Sequence, residues 1–359
     1  MSERKLYLDN IRWVTLCIVI LYHVFYIFNS SGVTSNINVT GIKQLDVFCV
    51  FTYPWIMCLL FVVSGVSARY SLKKKTNKEF IKDRTKRILI PSIVGIFAYG
   101  WISGWMTNYY TDIFSENGSM IPNPIKYIIW SLIGIGPLWY AHVLYIASLF
   151  IVLIRKIDKK QKLDSLFNKI NLPILFLLGI AVWGSSFILN MPLVTVYRFG
   201  IYLLMFIFGY YIFSNEDIIN KLEKISIPLV TTTLAIGMVF TIFNYGHNFG
   251  DDKFLKSIFT NIYLWFVILS VFGIFKKYLN FNNNFTNYMN KNNFNFYVLH
   301  YTIELIIAFI LVEYIKLNYF ILNYIILLLG TIIVLPIITE IIKKIPIANK
   351  LLLGISKNK

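Results

Sequence analysis

The stretch that decides the fold is "YLDNIRWVTLCIVILYHVFYIFN", Tyr7 to Asn29. A bilayer-crossing helix needs about 20 mostly apolar residues, and this run supplies them while also carrying Asp9, Arg12 and His23. An ionisable group at mid-bilayer costs roughly 2.5 to 3.5 kcal/mol, so such residues tend to face a bundle interior and to serve a function. Arg12 and His23 return to within about 20° of one direction on a helix, three turns and about 16 Å apart, so they share a stripe. Asp9 precedes Arg12 by three residues, a spacing that lets the two pair on the helix surface. Histidine is also the side chain whose ordinary pKa makes it a base near neutral pH. The plainer alternatives are an Arg12 that snorkels to the interface and a His23 that packs between helices.

The rest of the 359-residue chain extends this pattern, with 57% hydrophobic and only 14% charged residues and a mean hydropathy of +0.65. An ordinary soluble domain has roughly 25% charged residues, so a soluble globular protein is excluded. A net charge of +17 would suggest nucleic acid if it formed a stripe on a soluble face, but the basic residues sit between apolar runs. Cys17, Cys49 and Cys58 all lie within apolar runs; they offer no disulfide framework and no cysteine metal motif, and no metal is expected. The first apolar run is too long for a signal-peptide core and lacks a small-residue cleavage site, so it should remain as the first span.

Ten candidate spans follow, near 9–28, 46–69, 88–107, 137–154, 173–190, 196–213, 226–244, 257–275, 295–315 and 319–342. The stretch from Tyr127 to Ile135 is too short and reads as an interfacial or re-entrant segment. The fold class is therefore all-α, a polytopic membrane protein of about ten transmembrane helices. Of 34 Lys and Arg residues, 26 fall on the side of both termini and five on the other, with Arg12, Arg69 and Arg198 at or within spans. By the positive-inside rule both termini are cytoplasmic. One transmembrane domain over 1–345 and a short basic tail over 346–359 complete the organisation. The Asn-rich "NFNNNFTNYMNKNNFNF" reads as a solvated connector before the ninth span. A composition rich in Lys, Asn and Ile points to a low-GC bacterium and hence a bacterial plasma membrane.

Polar residues within the spans give the candidate sites. His300 and Glu304 stand four apart in "FYVLHYTIELI" and stack on one helix face, as a second polar cluster or as partners of each other. Asp46 heads the second span, and either it or Glu304 could orient a histidine. Arg198 and Glu313, near span ends, read as snorkelling or interface residues. Arg84 and Arg87 lie three apart on the basic run entering the third span, two guanidinium forks suited to phosphate oxygens.

In order along the chain, these residues resemble the acyltransferase 3 family of integral membrane acyltransferases. The resemblance rests on Arg12 and His23 in an Arg-x10-His pattern, Ser64 and Gly65 in "FVVSGVSA", and Arg84 and Arg87 in "RTKR" entering "ILIP". Trp139 in "GPLWY" and Tyr297 with His300 in "FYVLH" complete it. The sequence departs from the family at Val66, where an aromatic residue more often follows Ser-Gly. The resemblance implies a donor such as acetyl-CoA, used as a co-substrate and reached from the cytoplasm, with no permanently bound cofactor. It implies as partners, besides the lipid bilayer, a hydroxylated acceptor: a carbohydrate, a glycolipid or a small metabolite. It further implies that His23 is the catalytic residue, together with Arg12, and that Arg84 and Arg87 contact the phosphates of the coenzyme.

The chemistry asks for a base for the acceptor hydroxyl and for a group to hold charge developing on the thioester oxygen. His23 can be that base or can itself carry the acyl group. Arg12, Ser64 and Trp139 are candidates for positioning and charge stabilisation, with Asp9 steadying Arg12. The rival classes are a secondary transporter or flippase using the same intramembrane His, Arg and Glu, and a sensory protein that keeps the fold alone. Transporters commonly show related halves, which this sequence lacks. Within the enzyme class, succinyl transfer to a glucan is the alternative to acetyl transfer.

Overall fold

Long apolar runs in lipid can satisfy their backbone only internally, as helices or closed barrels. These runs follow the helical choice. A computed structural model describes residues 5–191, 196–317 and 320–355, and among them there are seventeen α-helices with short 3-10 and π turns and no strand. In chain order they are α1 (Leu6–Ile27), α2 (Asp46–Lys74), α3 (Asn77–Arg84), α4 (Ile90–Gly95), α5 (Trp101–Thr111) and α6 (Asn123–Ile133). There follow α7 (Trp139–Ile157), α8 (Lys162–Phe167), α9 (Leu172–Ser185), α10 (Phe199–Tyr211), α11 (Glu216–Lys224) and α12 (Ser226–Asn244). The last are α13 (Asp252–Lys256), α14 (Ile258–Tyr278), α15 (Asn284–Phe309), α16 (Phe320–Lys344) and α17 (Pro346–Leu352). Arg4 of the basic count and tail residues 356–359 lie outside the described residues.

Eight helices among the described residues are long and apolar enough to cross a membrane, and a ninth span results if α10 and α11, bent by 97°, count as one. The count differs from ten because the predicted fifth and sixth spans are α9 and α10, of 14 and 13 residues. Fourteen residues rise only about 21 Å, short of a hydrocarbon core of about 30 Å. The apolar pattern runs on through Phe187, Ile188 and Leu189, but the helix has already ended at Ser185, and Leu189, with a φ of +55°, lies in the turn beyond it. The stretch around Tyr127 is α6, 11 residues long and below spanning length. The Asn-rich segment is a correction of another kind: from Asn284 onward it is the first turns of α15. Asn283 and Thr286 cap that start reciprocally, each side chain accepting from the other's amide at 2.8 and 2.9 Å, as N-terminal capping requires.

The chain divides into two compact units. The first takes the described parts of Met1–Ile18, Val50–Asp83 and Val143–Lys291. Its centre is α14, whose Trp265 is buried and donates to the Leu175 carbonyl of α9 at 2.9 Å. Gly65 of α2 and Gly209 of α10 explain how two helices meet with nothing between them. A Cβ on Gly65 would lie 2.1 Å from the Phe206 carbonyl oxygen, and one on Gly209 would lie 2.0 Å from that of Val62. Small residues permit this close backbone approach in lipid, where packing rather than water exclusion drives association.

The second unit takes Val19–Cys49, Arg84–His142 and the described part of Asn292–Lys359. Its core gathers Val24, Phe28, Met106, Tyr301, Leu305, Phe309, Tyr324 and Leu327. Gly100 and Gly104, four apart, set α5 and its preceding turn against α6, where a Cβ on Gly104 would lie 1.9 Å from the Trp130 carbonyl oxygen. In α16 the most apolar window is only 22% buried, and Ile325, Ile326, Leu329, Ile332 and Ile333 lie on its exposed side. Such a surface suits lipid.

Candidate active site

Within the second unit, the last turns of α1 bring His23 against α15. His23 Nδ1 lies 2.9 Å from the Val19 carbonyl oxygen and 3.2 Å from His300 Nε2. His300 Nδ1 faces two carbonyl oxygens, Tyr297 at 2.7 Å and Phe296 at 3.2 Å. Carbonyls only accept, so His300 carries its proton on Nδ1 and presents a lone pair at Nε2. His23 Nδ1 then faces two acceptors and is itself the protonated nitrogen. Its Nε2 is left with the lone pair. This assignment follows from the hydrogen-bond partners alone, and it leaves a nitrogen able to accept a proton or an acyl group.

The cluster is steeply graded in exposure. His300 and Glu304 are both fully enclosed, whereas His23 is half-buried and keeps an open edge. Among the described residues, neither oxygen of the Glu304 carboxyl has a hydrogen-bond partner. Buried polar groups are nearly always paired, so an orphan carboxyl beside two imidazoles marks either a reactive site or a ligand position. His23, His300 and Glu304 can each offer one ligand atom, all within 4.8 Å of one another. Two histidines and a glutamate form a donor set able to hold zinc with a fourth position open, so these are the residues that could hold a metal.

Aromatic rings line the same place. The His23 ring centroid lies 4.8 Å from that of Tyr301 and 6.0 Å from that of Tyr26. The Tyr301 hydroxyl donates to Asn36, whose amide in turn donates to Thr107 Oγ1 at 2.7 Å. The motif around Trp139 meets the motif around His300 here. Tyr297 donates its hydroxyl to the Pro137 carbonyl, and a Cβ on Gly136, which has a φ of +46°, would lie 3.0 Å from the Tyr301 ring. Trp139 itself is buried at the start of α7.

The other predicted residues stand elsewhere. Arg12, in the first unit, pairs with Asp9 at 2.5 Å and donates to Ser67 Oγ, which donates onward to the Val63 carbonyl at 2.7 Å. Ser64 lies three residues before Ser67 on α2, half-buried. Asp46 does not orient a histidine: one carboxylate oxygen accepts from the Ser30 amide at 2.9 Å, the Ser30 hydroxyl at 2.6 Å and the Ser31 hydroxyl at 2.8 Å. It pins the turn after α1. Arg198 is tied to the Ser186 and Leu255 carbonyls at 3.4 and 3.3 Å, and Glu313 accepts from Tyr110 at 2.7 Å and Tyr109 at 3.2 Å.

Arg84 closes α3, and the helix widens into a π turn over Thr85–Leu89 that contains Arg87. The three-residue spacing of a regular α-helix therefore does not apply between Arg84 and Arg87. Such π turns recur at functional sites. Gly354, just past α17, closes on this turn, since a Cβ there would lie 2.9 Å from the Arg87 backbone.

The residues missed by sequence reading are Ser67, Tyr26, Asn36 and Tyr301. Tyr301 adjoins His300 in the quoted motif and could have been found there, whereas Asn36 lies in a loop without a signal.

A model of the acyltransferase domain matches residues 5–340. The chain belongs to the acyltransferase 3 family. It is similar to proteins named glucans biosynthesis protein C from Shigella dysenteriae serotype 1 and Escherichia coli K12. Each is 24% identical over 323 residues, covering 85% of this chain and 83% of the relative. No solved structure matches it. The chain is thus a multi-pass membrane transferase of that family, and its family membership spans both units.

Proposed function

We propose that the protein transfers an acyl group from acyl-coenzyme A, taken from the cytoplasm, to a hydroxyl of a carbohydrate at or across a bacterial plasma membrane. The observation that carries this reading is the contact between His23 and His300, which leaves the lone pair of the half-buried His23 ring on Nε2. An acceptor hydroxyl placed there gives its proton to Nε2 while its oxygen attacks the thioester carbonyl. The C–S bond breaks, the ester C–O bond forms, and the proton returns to the departing thiolate. As His23 becomes cationic, its Nδ1–H is held by His300 Nε2, and the Glu304 carboxyl lies beside the pair. That arrangement gives His300 and Glu304 the role of positioning residues for His23.

Arg84 and Arg87 are assigned to the coenzyme phosphates, and Arg12, Ser64 and Trp139 to supporting positions. The predominance of basic residues on the side of both termini supports cytoplasmic N- and C-termini. The relatives' name supports a glucan as the acceptor. Acetyl is the acyl group proposed, and succinyl is the alternative. Membranes carrying the wild-type chain or His23→Ala, incubated with acetyl- or succinyl-labelled coenzyme A and extracted glucan, test this. Transfer of label that His23→Ala lacks is expected. Wild-type transfer by His23→Ala removes the site assignment, and a label from succinyl but not acetyl donor decides the acyl group. Movement of solute with no coenzyme consumed would favour transport instead.

A further inference from the structure

The first unit holds a cavity of about 440 Å³ that the proposed reaction does not use. It lies at the basic ends of α2 and α7, which finish in Lys73 and Lys74 and in Arg155 and Lys156. Four cationic side chains line it, Arg69, Lys73, Arg155 and Lys159, against two carboxylates, Asp158 and Asp164.

Both carboxylates are already committed. Asp158 accepts from the Lys162 and Leu163 amides, each at 2.8 Å. Asp164 takes the fork of Arg69 at 2.5 and 3.2 Å, and that guanidinium also lies 4.9 Å from the centre of the buried Tyr210 ring. The Arg69 charge is thus neutralised and its position fixed by its partners. Arg155 is anchored by one N–H to the Leu72 carbonyl at 3.2 Å, which leaves the rest of its fork turned to other acceptors. Lys73 and Lys159 are exposed on the rim. A cavity of this size falls within the range of small-molecule sites. Among the described residues three of these cations have no carboxylate of their own, so the cavity presents net positive charge to an occupant. A planar fork beside two mobile ammonium groups matches a phosphate ester better than a carboxylate, since the fork grips two oxygens and the lysines take the remaining charge.

We propose that this cavity binds an organic phosphate, gripped by Arg155, Lys73 and Lys159 over the rigid floor made by Arg69, Asp164 and Tyr210. Two sources supply that chemistry on the basic side of a membrane protein, a nucleotide phosphate such as that of coenzyme A and the headgroup of an anionic phospholipid. The cavity lining includes neither Arg84 nor Arg87, and the proposal rests on no step of the proposed reaction.

The test uses the full chain in nanodiscs and the double variant Arg155→Gln/Lys159→Gln, which leaves the Arg69–Asp164 pair intact. One arm measures coenzyme A binding by calorimetry in phosphatidylcholine discs. The other measures retention of cardiolipin by native mass spectrometry. A fall of at least tenfold in either arm, with an unchanged thermal midpoint, supports the site and names its ligand; a fall in both means that it takes either source. Wild-type binding in both arms overturns the proposal. Should the double variant fail to fold, Lys73→Gln at the exposed rim carries the same two measurements, with a fall of at least threefold expected. Arg84→Gln/Arg87→Gln serves as the reference: loss of coenzyme A binding there, with both arms at the wild-type level in Arg155→Gln/Lys159→Gln, would uphold the donor reading and reject the cavity.

Discussion

Two polar clusters grow from one helix, and they are built on opposite plans. Near the start of α1, Arg12 is answered by Asp9 and Ser67, and Ser67 is answered by a carbonyl. Near its end, His23 leans on His300 while the Glu304 carboxyl has no hydrogen bond. A cluster whose members satisfy one another is finished: it holds its shape and has little left to offer a ligand. A cluster with a buried, unanswered carboxyl and an imidazole lone pair is incomplete until something enters. The contrast supports the proposal that chemistry takes place at the second, with Arg12 of the first in a supporting position.

The largest effect that could break this contrast is at His23. His23→Ala should lower acyl transfer by about 10²- to 10⁴-fold, the range for losing a general base, with the protein still folded by circular dichroism. His300→Gln should cost about tenfold to a hundredfold in kcat with little change in KM, the rate equivalent of a lost charge-assisted hydrogen bond, and Glu304→Gln, which breaks no hydrogen bond, should cost less. A pH–rate profile that moves in these variants, and not in Asp46→Asn, would separate positioning from mere packing. If they leave the rate unchanged, the His23–His300 contact is structural only.

Smaller effects should appear in the finished cluster. Arg12→Gln or Asp9→Asn should reduce stability by about 1 to 3 kcal/mol, because each leaves its partner unanswered. The double variant should cost less than the sum. A thermal midpoint in detergent measures this, and a large rate loss at wild-type stability would instead move Arg12 into the chemistry. The smallest expected effect is that of a chelator. Dialysis against EDTA should leave acyl transfer unchanged, whereas loss restored by Zn²⁺ would turn His23, His300 and Glu304 from a base and its supports into metal ligands.

Much of the fold was legible because lipid imposes a length rule on apolar runs, and α1, α12, α14 and α16 obey it. The rule failed at α9 and α10, where Leu189 turns the chain although its neighbours stay apolar. It failed again at the Asn-rich start of α15, where capping by Asn283 and Thr286 outweighs weak helix propensity. In the site, the His300–Glu304 spacing was legible because four residues make one helical turn. The meeting of His23 with His300 was not, since no local pattern reports a contact between residues 277 apart. The π turn between Arg84 and Arg87 was hidden for a related reason: a spacing in sequence assumes one kind of helix.

The graded exposure of the second cluster carries a consequence for chemical labelling. A histidine-acylating reagent can approach the open edge of His23, while His300, fully enclosed, is shielded by its neighbour. One imidazole of the adjacent pair is thereby set apart for covalent capture, so a probe aimed at the pair marks His23 and spares His300, with the exposed His247 as its internal reference.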